Sequence, residues 1–309
     1  MNSRTLLYVL KRTALSLLSI FIVITVTFFV MRAIPGGPFL GEKATTPAAQ
    51  AALEAKYGLD KPLSTQYFTY IKDIITDFNF GPSLKQRGRD VADIISDGLK
   101  VSAKLGITSS FIALISGVCL GSAAALKKNK AADKIIMIVT TAFVSMPSFI
   151  IGTLLLLIFA VKLAVLPANG TTAEGLILPV ITLSLYPMAY ITRLTRSSML
   201  DVLGQDYIRT ARAKGVSQKN VIFKHALKNS LIPVITYFGP MLAYIVTGSL
   251  VVEQIFAVSG IGRSFVNSII NRDYTLIMGT TIVLATLIVV MNLITDLVYK
   301  AVDPRITLE

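Results

Sequence analysis

Apolar runs of about 20 residues recur along this chain, and they constrain its fold more than any other feature. A helix rises 1.5 Å per residue, so a run of roughly 20 residues crosses a hydrocarbon core of ~30 Å. The chain has 309 residues, of which 53% are hydrophobic and 15% charged, whereas a soluble domain has roughly 25% charged residues. The sequence lacks the short alternating segments of a transmembrane β-barrel. We therefore predict an all-α, polytopic membrane protein.

Six transmembrane helices can be placed on the apolar runs. Their predicted bounds are residues 10–32, 99–126, 135–161, 177–199, 230–252 and 275–299. Five prolines inside these spans predict kinks or broken turns, because proline lacks the amide donor of a helical turn. They are Pro147, Pro179, Pro187, Pro233 and Pro240. The first apolar run is too long for the usual signal peptide and is predicted to be a retained span.

Lysines and arginines predict the orientation, because cytoplasmic loops are enriched in both. With the N-terminus inside, the short inner segments hold 17 of the 30 lysines and arginines, and the short outer loops hold three. Both termini are therefore predicted to be cytoplasmic. The net charge of +13 follows from this bias, so nucleic acid is not an expected partner, and the lipid bilayer is.

A small helical domain outside the membrane is predicted between spans 1 and 2. Within it, PAAQAALEAKYG predicts a helix from Pro47 to a stop at Gly58. LSTQYFTYIKDIITDF predicts a second helix, capped by Ser64 or Thr65. Its predicted apolar stripe consists of Tyr67, Tyr70, Ile71, Ile74 and Ile75. The domain serves either as a lid on the spans or as a docking surface for an outside partner.

The predicted organisation thus has three parts. They are the cytoplasmic N-terminus and first span at 1–33, the outer domain at 34–97, and the transmembrane core at 98–309 with a cytoplasmic loop at 200–229.

Groups that could power or catalyse a reaction are missing from the sequence. Charged residues lie near the predicted ends of the spans, which argues against a proton- or sodium-coupled carrier. The chain has no G-x-x-x-x-G-K-[ST], H-E-x-x-H or G-x-S-x-G motif, so neither nucleotide binding by a P-loop nor hydrolysis is expected. With one cysteine and one histidine, no metal site is expected either. We predict a transport protein that is not an enzyme and carries no cofactor.

The polar segment RTARAKGVSQKNVIFKHALKN, residues 209–229, predicts two helices joined by a turn. Asp206 is expected to cap a helix that runs to Lys214 and ends at Gly215. Ser217 is expected to cap a second helix that leads into span 5. Ala211 and Ala213 are expected to thin the first helix, so that a partner surface can approach closely. A positively charged loop without a partner is the simpler alternative.

This segment resembles the cytoplasmic E-A-A-x-x-x-G loop of ABC-transporter permease subunits. Ala211 and Gly215 match the second alanine and the glycine, whereas Arg209 and Thr210 replace the first two letters. The wider resemblance is to the B-type permease of the oligopeptide, dipeptide and nickel importers. It covers almost the whole chain, including FNFGPSLKQRGRDVADII, PSFIIGTLLLLIFAVKLAVLPANG, DYIRTARAKGV, HALKNSLIPV and VVEQIFAVSGIGRSFVNSIINRDY.

The resemblance implies a six-span permease of the type I ABC importer kind in a bacterial-type cytoplasmic membrane. It implies four kinds of partner: the bilayer, a second homologous permease, two cytoplasmic ATPases that bind ATP and Mg²⁺, and an extracytoplasmic peptide-binding protein. Oligopeptides are the expected cargo, with dipeptides or nickel as the alternative. The residues expected to couple the permease to the ATPases are Asp206, Tyr207, Arg209, Ala211, Arg212, Lys214 and Gly215.

Two further groups of residues are candidate site residues. Polar, uncharged side chains within the spans are candidates for the substrate path, namely Ser145, Ser148, Thr182, Ser184 and Tyr186. The segment from Glu253 to Tyr274 is predicted to be a re-entrant or interfacial helix at the outer mouth, broken by glycines. Its candidate residues are Glu253, Gly260, Gly262, Arg272 and Asp273.

Two other classes of function remain open from the residues alone. A stand-alone channel or secondary carrier would move its cargo without ATPases. A membrane scaffold would have no pathway, although five prolines within spans are more typical of a transporter than of a scaffold.

Overall fold

The computed structural model describes residues 3–34, 54–55 and 58–302, with side chains for residues 10–34, 54–55 and 58–295. Within these residues the regular structure is helical, apart from one isolated β-bridge between Pro82 and Asp90. The α-helices of the first half are α1 (Ser3–Ala33), α2 (Leu63–Asp77), α3 (Val91–Leu126), α4 (Ala131–Ser145), and α5 (Ser148–Leu155), which continues as a π-helix over Leu156–Lys162.

The second half is also helical. Its elements are α6 (Ile177–Leu203), α7 (Asp206–Ala213), α8 (Gln218–Ser230, π-helical over Val221–Leu227), α9 (Ile232–Val246), α10 (Leu250–Ile255), α11 (Ile261–Ile270) and α12 (Tyr274–Val302). Of the predicted helix from Pro47 to Gly58, only residues 54–55 and 58 are described. Residues 54–55 are helical, and Gly58 is left-handed with φ of +65°, as its predicted role as the helix stop requires.

The six predicted spans correspond to four unbroken helices and two bent pairs within the described residues. The unbroken helices that are long and apolar enough to cross a membrane are Leu10–Ala33, Val91–Leu126, Glu174–Leu203 and Tyr274–Thr295. The bent pairs are Ala131–Ser145 with Ser148–Lys162, at 105°, and Gln218–Ser230 with Ile232–Val246, at 49°. Span 5 thus ends at Val246, not at residue 252 as predicted.

Two of the five prolines coincide with the bends, and the others lie inside helices. Met146 is extended, with ψ of 129°, because a residue that precedes proline is pushed out of the helical region. Pro147 is also extended, with ψ of 139°, as the N-cap of α5. The result at Pro147 is a broken turn, one of the two predicted outcomes. Pro233 lies in the first turn of α9, where its missing N–H costs nothing. Pro179, Pro187 and Pro240 stay within their helices.

The first compact unit comprises residues 1–100 and 260–290. Its apolar core joins residues of α1, α2, α3, α11 and α12, among them Ile24, Phe28, Ile74, Val91, Ile261 and Leu276. The predicted helix at 63–77 is confirmed, but it begins at Leu63 after Pro62, so neither Ser64 nor Thr65 caps it. Ile75 is 72% exposed and does not belong to the buried stripe.

The second compact unit comprises residues 101–259 and 291–309. Its buried apolar residues form three clusters, which contain Phe256, Ile208 and Ile191 respectively. Helix α6 contributes to all three clusters and is the most extensively buried of the four unbroken candidate spans. The sequence-based domain boundaries at 33 and 97 remain predictions.

Candidate functional site

The segment from Asp206 to Ser230 folds as two helices around a left-handed glycine, and we call it the hairpin. Helix α7 ends in a Schellman motif, in which the Gly215 N–H donates to the Arg212 carbonyl at 3.0 Å and the Val216 N–H donates to the Ala211 carbonyl at 3.2 Å. Gly215 has φ of +76°, a conformation that a Cβ atom disfavours. The predicted turn at Gly215 is confirmed.

Of the two predicted caps of the hairpin helices, the one at Ser217 is confirmed and the one at Asp206 is wrong. Ser217 caps α8, since its hydroxyl accepts from the Asn220 N–H at 3.4 Å. Asp206 is the first residue of α7 and not its cap; that position belongs to Gln205, whose side chain makes no capping bond. The Asp206 carboxylate lies in the first turn of α7, where it interacts favourably with the positive end of the helix dipole.

The inner face of α7 packs within the chain. Ile208 is fully buried and lies in a cluster with Met199, Val221 and Ala226, against which Ala211 is partly buried. Ala211 therefore permits close packing of the hairpin on its own chain, and it does not thin the outward face as predicted. Ala213, by contrast, is exposed.

The outer face of α7 is basic and exposed. Arg209, Arg212 and Ala213 are exposed there, and Lys214 is the exposed C-cap that follows. The Arg209 guanidinium is 3.4 Å from the Asp206 carboxylate. Such an exposed ion pair contributes little to stability, so the face carries charge without being folded by it. The Tyr207 hydroxyl accepts from the Asn229 amide at 2.8 Å, which ties α7 to α8.

The hairpin follows directly after α6, which is anchored by an ion pair that the sequence analysis missed. The Arg196 guanidinium donates to both carboxylate oxygens of Asp133, at 2.6 and 2.8 Å. Asp133 is buried in the first turn of α4 and also accepts from the Asn129 N–H at 2.8 Å. The acidic residue among the lysines of KKNKAADK was the available signal. This bidentate pair fixes the beginning of α4 against α6.

Small residues at four-residue intervals bring α3 close to α6, and this pattern was also missed. Ala113, Gly117, Gly121 and Ala125 are buried along one face of α3. A Cβ atom at Gly121 would lie 2.5 Å from the Thr192 carbonyl oxygen, so the helices touch there through backbone. Such small-residue stripes are typical of helix contacts in membranes, and their spacing could have been read from the sequence.

Two protein-family models match this chain. The family described as "Binding-protein-dependent transport system inner membrane component" matches residues 117–308, which include the hairpin. The corresponding N-terminal family, "Binding-prot-dependent transport system membrane comp, N-term", matches residues 5–88. The chain belongs to this family. It is therefore a permease, an inner membrane component of a transport system.

Curated relatives match the permease over nearly its full length. The dipeptide transport system permease protein DppB of Bacillus subtilis is 48% identical over 302 residues, covering 97% of this chain and 98% of the relative. The oligopeptide transport system permease protein OppB of Escherichia coli K12 is 44% identical, with the same coverage.

Solved structures support the fold of the permease. A chain of the MetNI methionine ABC transporter in an inward-facing conformation superposes with a TM-score of 0.58 at 17% identity, covering 69% of this chain and 97% of that one. A chain of an amino acid ABC transporter gives 0.52 at 15% identity, with 70% and 95% covered. The permease therefore has the all-helical fold of ABC importer permeases.

The predicted path residues of the permease do not form one group. Thr182 and Ser184 are buried and donate to carbonyls of their own helix, those of Leu178 and Ile181, both at 2.8 Å. Ser145 and Ser148 are exposed on either side of the break at Pro147. Tyr186 is 48% exposed on α6. Of the five, Thr182 and Ser184 therefore present no free hydroxyl to a passing cargo.

In the second unit, the predicted outer-mouth segment begins with a buried carboxylate. The side chain of Glu253 in α10 is fully buried and accepts from the Ser102 hydroxyl at 2.7 Å and from the Ser249 N–H at 3.2 Å. These contacts connect α10 to α3. Glu253 is therefore held inside the chain and is not a group on an exposed mouth.

In the first unit, the same segment continues through α11 to a second buried carboxylate. Gly260 precedes α11, whereas Gly262 lies buried within its first turn, so the predicted break at Gly262 is wrong. Arg272 is exposed with φ of +57°. Asp273 is buried, accepts from the Ser83 hydroxyl, and also accepts from the Leu84 N–H at 3.1 Å. It thereby ties the loop at 79–90 to the start of α12.

Proposed function

We propose that this chain is a permease subunit of an ATP-driven peptide importer and that the hairpin receives the power stroke. The observation that carries the proposal is the two-sided build of α7. Its inner face is packed on the chain through Ile208, while its outer face presents Arg209, Arg212 and Lys214. A helix fixed on one side and charged on the other can take up a push from a partner and pass it to α6.

Peptides are the cargo that the relatives favour. The dipeptide and oligopeptide permeases named above share 44–48% of their residues with this chain over almost its whole length. A peptide importer must accept varied side chains, so we infer that recognition uses hydrogen bonds to the peptide backbone. We propose a peptide of two or more residues as cargo.

The proposed assembly has two permeases, this chain and a homologous one, forming the path between them. Two ATPases on the cytoplasmic side would bind ATP and Mg²⁺, and a binding protein would deliver the peptide on the other side. The bias of lysine and arginine supports cytoplasmic termini and a cytoplasmic hairpin. This chain would supply no catalytic group, and its work would come from closure of the ATPase pair.

Charge reversal on the outer face of α7 tests this proposal. Arg212→Glu is expected to reduce ATP-driven peptide uptake about tenfold or more. The reversed charge would be repelled by the partner groups that attract Arg212, and a repulsion of ~1.4 kcal/mol weakens docking of the partner tenfold. The complex should still assemble in the membrane and hydrolyse ATP, so hydrolysis becomes uncoupled from uptake. Lys72→Glu, the same charge change on exposed α2, is the matched control and should leave ATP hydrolysis coupled to uptake.

A second variant alters the turn of the hairpin instead of its charge. Gly215→Pro removes the N–H that bonds the Arg212 carbonyl and cannot adopt the φ of +76°. It too should uncouple hydrolysis from uptake. Normal coupled uptake by both Arg212→Glu and Gly215→Pro would contradict the proposal. Peptide flux through the single reconstituted chain without ATP would instead favour a stand-alone channel.

A further inference from the structure

One open stripe runs along α6, the most buried candidate span. The other sides of α6 are covered within the second unit by residues of α3, α5 and α9. The stripe consists of four polar residues at helical spacing, Tyr186, Tyr190, Arg193 and Ser197, all of them exposed. Residues spaced by three and four positions share one face of a helix, so these four side chains form a continuous polar surface.

This stripe lies at a depth where lipid is an unfavourable neighbour. Tyr190 is at the midpoint of the 27-residue helix α6, and Arg193 is only about 5 Å further along. With α6 centred in the bilayer, both lie within the ~30 Å hydrocarbon core, and Arg193 departs from the expectation that charged residues lie near the ends of the spans. Exposure of an arginine to lipid there costs at least ~2.5 kcal/mol. Among the described side chains, none pairs with Arg193, so the stripe faces water or another polar surface.

A tyrosine of α9 extends the stripe sideways. The rings of Tyr190 and Tyr237 are stacked with their centroids 4.3 Å apart, and Tyr237 is half-buried at the same place. In the described part of the chain, neither hydroxyl forms a hydrogen bond. Two stacked rings with unbonded hydroxyls in the middle of a span offer both an apolar face and hydrogen-bonding groups.

We propose that this surface, formed by Tyr186, Tyr190, Arg193 and Ser197 of α6 with Tyr237 of α9, lines the aqueous path and contacts the passing peptide. The inference rests on the proposed function and assigns a binding surface to it. Tyrosine hydroxyls both donate and accept, so they can meet the carbonyls and amides that every peptide has. Arg193 can bind a peptide carboxylate with two hydrogen bonds. The aromatic rings give varied side chains an apolar contact without selecting one.

Cysteine accessibility tests the assignment, and the chain suits the method because Cys119 is its single cysteine. In a Cys119→Ser background, Tyr190→Cys and Ser197→Cys are introduced separately. The complete transporter with its ATPases and binding protein is then treated with a charged methanethiosulfonate reagent. Both cysteines should react, because the reagent reaches groups that face water. Ile115→Cys is the control, since Ile115 is 64% exposed on an apolar face of α3 and should not react.

Peptide protection is the second readout. A transported peptide at about ten times its half-saturating concentration should slow the reaction about tenfold, because the fraction of empty sites falls as 1/(1 + [L]/Kd). Ser197→Cys, which changes one atom, keeps the test valid if Tyr190→Cys does not assemble. The proposal is overturned if both cysteines resist the charged reagent in the folded complex. It is also overturned if they react equally fast with and without peptide.

The accessibility test and the coupling test can fail separately. Unreactive cysteines that instead cross-link to the second permease would place the stripe in a subunit contact and leave the role of the hairpin intact. Reactive and protected cysteines together with normal transport by Arg212→Glu and Gly215→Pro would keep the path assignment and reject the proposed coupling.

Discussion

Gly121 lets α3 approach α6 more closely than any residue with a side chain would allow. A Cβ atom there would lie 2.5 Å from the Thr192 carbonyl oxygen and 2.6 Å from the Thr195 Cβ. Gly239 in α9 has nothing within 4 Å of the same position. The two helical glycines thus differ in the space beside them, and also in sequence, because Gly239 directly precedes Pro240. Only the structure shows that the position beside Gly121 is filled.

Gly121→Ala is expected to destabilise the permease, although alanine favours a helix by about 1 kcal/mol over glycine. Forcing an extra methyl group into a packed contact costs roughly 1–3 kcal/mol, and here the neighbours are the Thr192 carbonyl oxygen and the Thr195 Cβ, which move only with the backbone of α6. Gly239→Ala meets no neighbour but adds a Cβ before Pro240, so it should cost less than Gly121→Ala. The midpoints of thermal unfolding in detergent measure both, and a Gly121→Ala midpoint at or above that of Gly239→Ala would contradict the packing of α3 on α6.

At the scale of the helices, apolar periodicity predicted most of the elements. Caps, glycines and prolines decided where each helix begins and ends. The helix at 63–77 and the turn at Gly215 follow from residues close in sequence, so the sequence was sufficient for them. The residues close in sequence did not show which of Pro147 and Pro187 would break its span. The first ends a helix with a 105° bend, whereas the second stays inside α6, because packing against neighbouring helices decides whether a proline breaks a span.

The candidate site was predictable to a similar degree. The basic face of α7 follows from its spacing, but the inward position of Ala211 depends on the distant residues Val221 and Ala226. The Asp133–Arg196 pair joins residues 63 positions apart, so the local sequence singles out Asp133 among lysines but does not identify its partner. Long-range contacts of this kind are what a single sequence leaves undetermined.

Asp273 shows how one side chain can hold a whole element, the loop at 79–90. It accepts from the Leu276 N–H at 3.3 Å as the cap of α12, and from Ser83 and the Leu84 N–H of the loop. Removing it leaves buried donors unsatisfied, at about 1.5–3 kcal/mol for each bond to a charged group. The loop carries trypsin sites at Lys85, Arg87 and Arg89.

Asp273→Ala is therefore expected to speed tryptic cleavage within residues 85–89 roughly 100-fold or more, since two bonds to the loop are lost and cleavage follows the population of the opened loop. Asp97→Ala is the matched control. It removes an exposed ion pair with Arg89 at 2.9 Å, which is worth about 0–1 kcal/mol, and should change the cleavage rate less than about fivefold. Equal rates for the two variants would show that Asp273 does not hold the loop.

For the whole molecule, the central claim is that a permease whose sequence has no P-loop motif takes work from a partner through the hairpin. The family, the relatives and the fold are those of ABC importer permeases. The hairpin is joined to α6 by the short link Gly204–Gln205, and α6 carries the polar stripe. A push on α7 therefore has a short covalent route to the proposed peptide path.

Photo-cross-linking from the hairpin tests this claim most directly. Arg212→Cys in the Cys119→Ser background is labelled with a benzophenone maleimide in the purified complex and irradiated. We predict a covalent adduct with the ATP-hydrolysing subunit, whereas Lys72→Cys on α2 should give no adduct with that subunit. If cysteines at Arg212, Ala213 and Lys214 all label fully but none attaches to an ATPase, the hairpin does not receive the power stroke and the account is wrong.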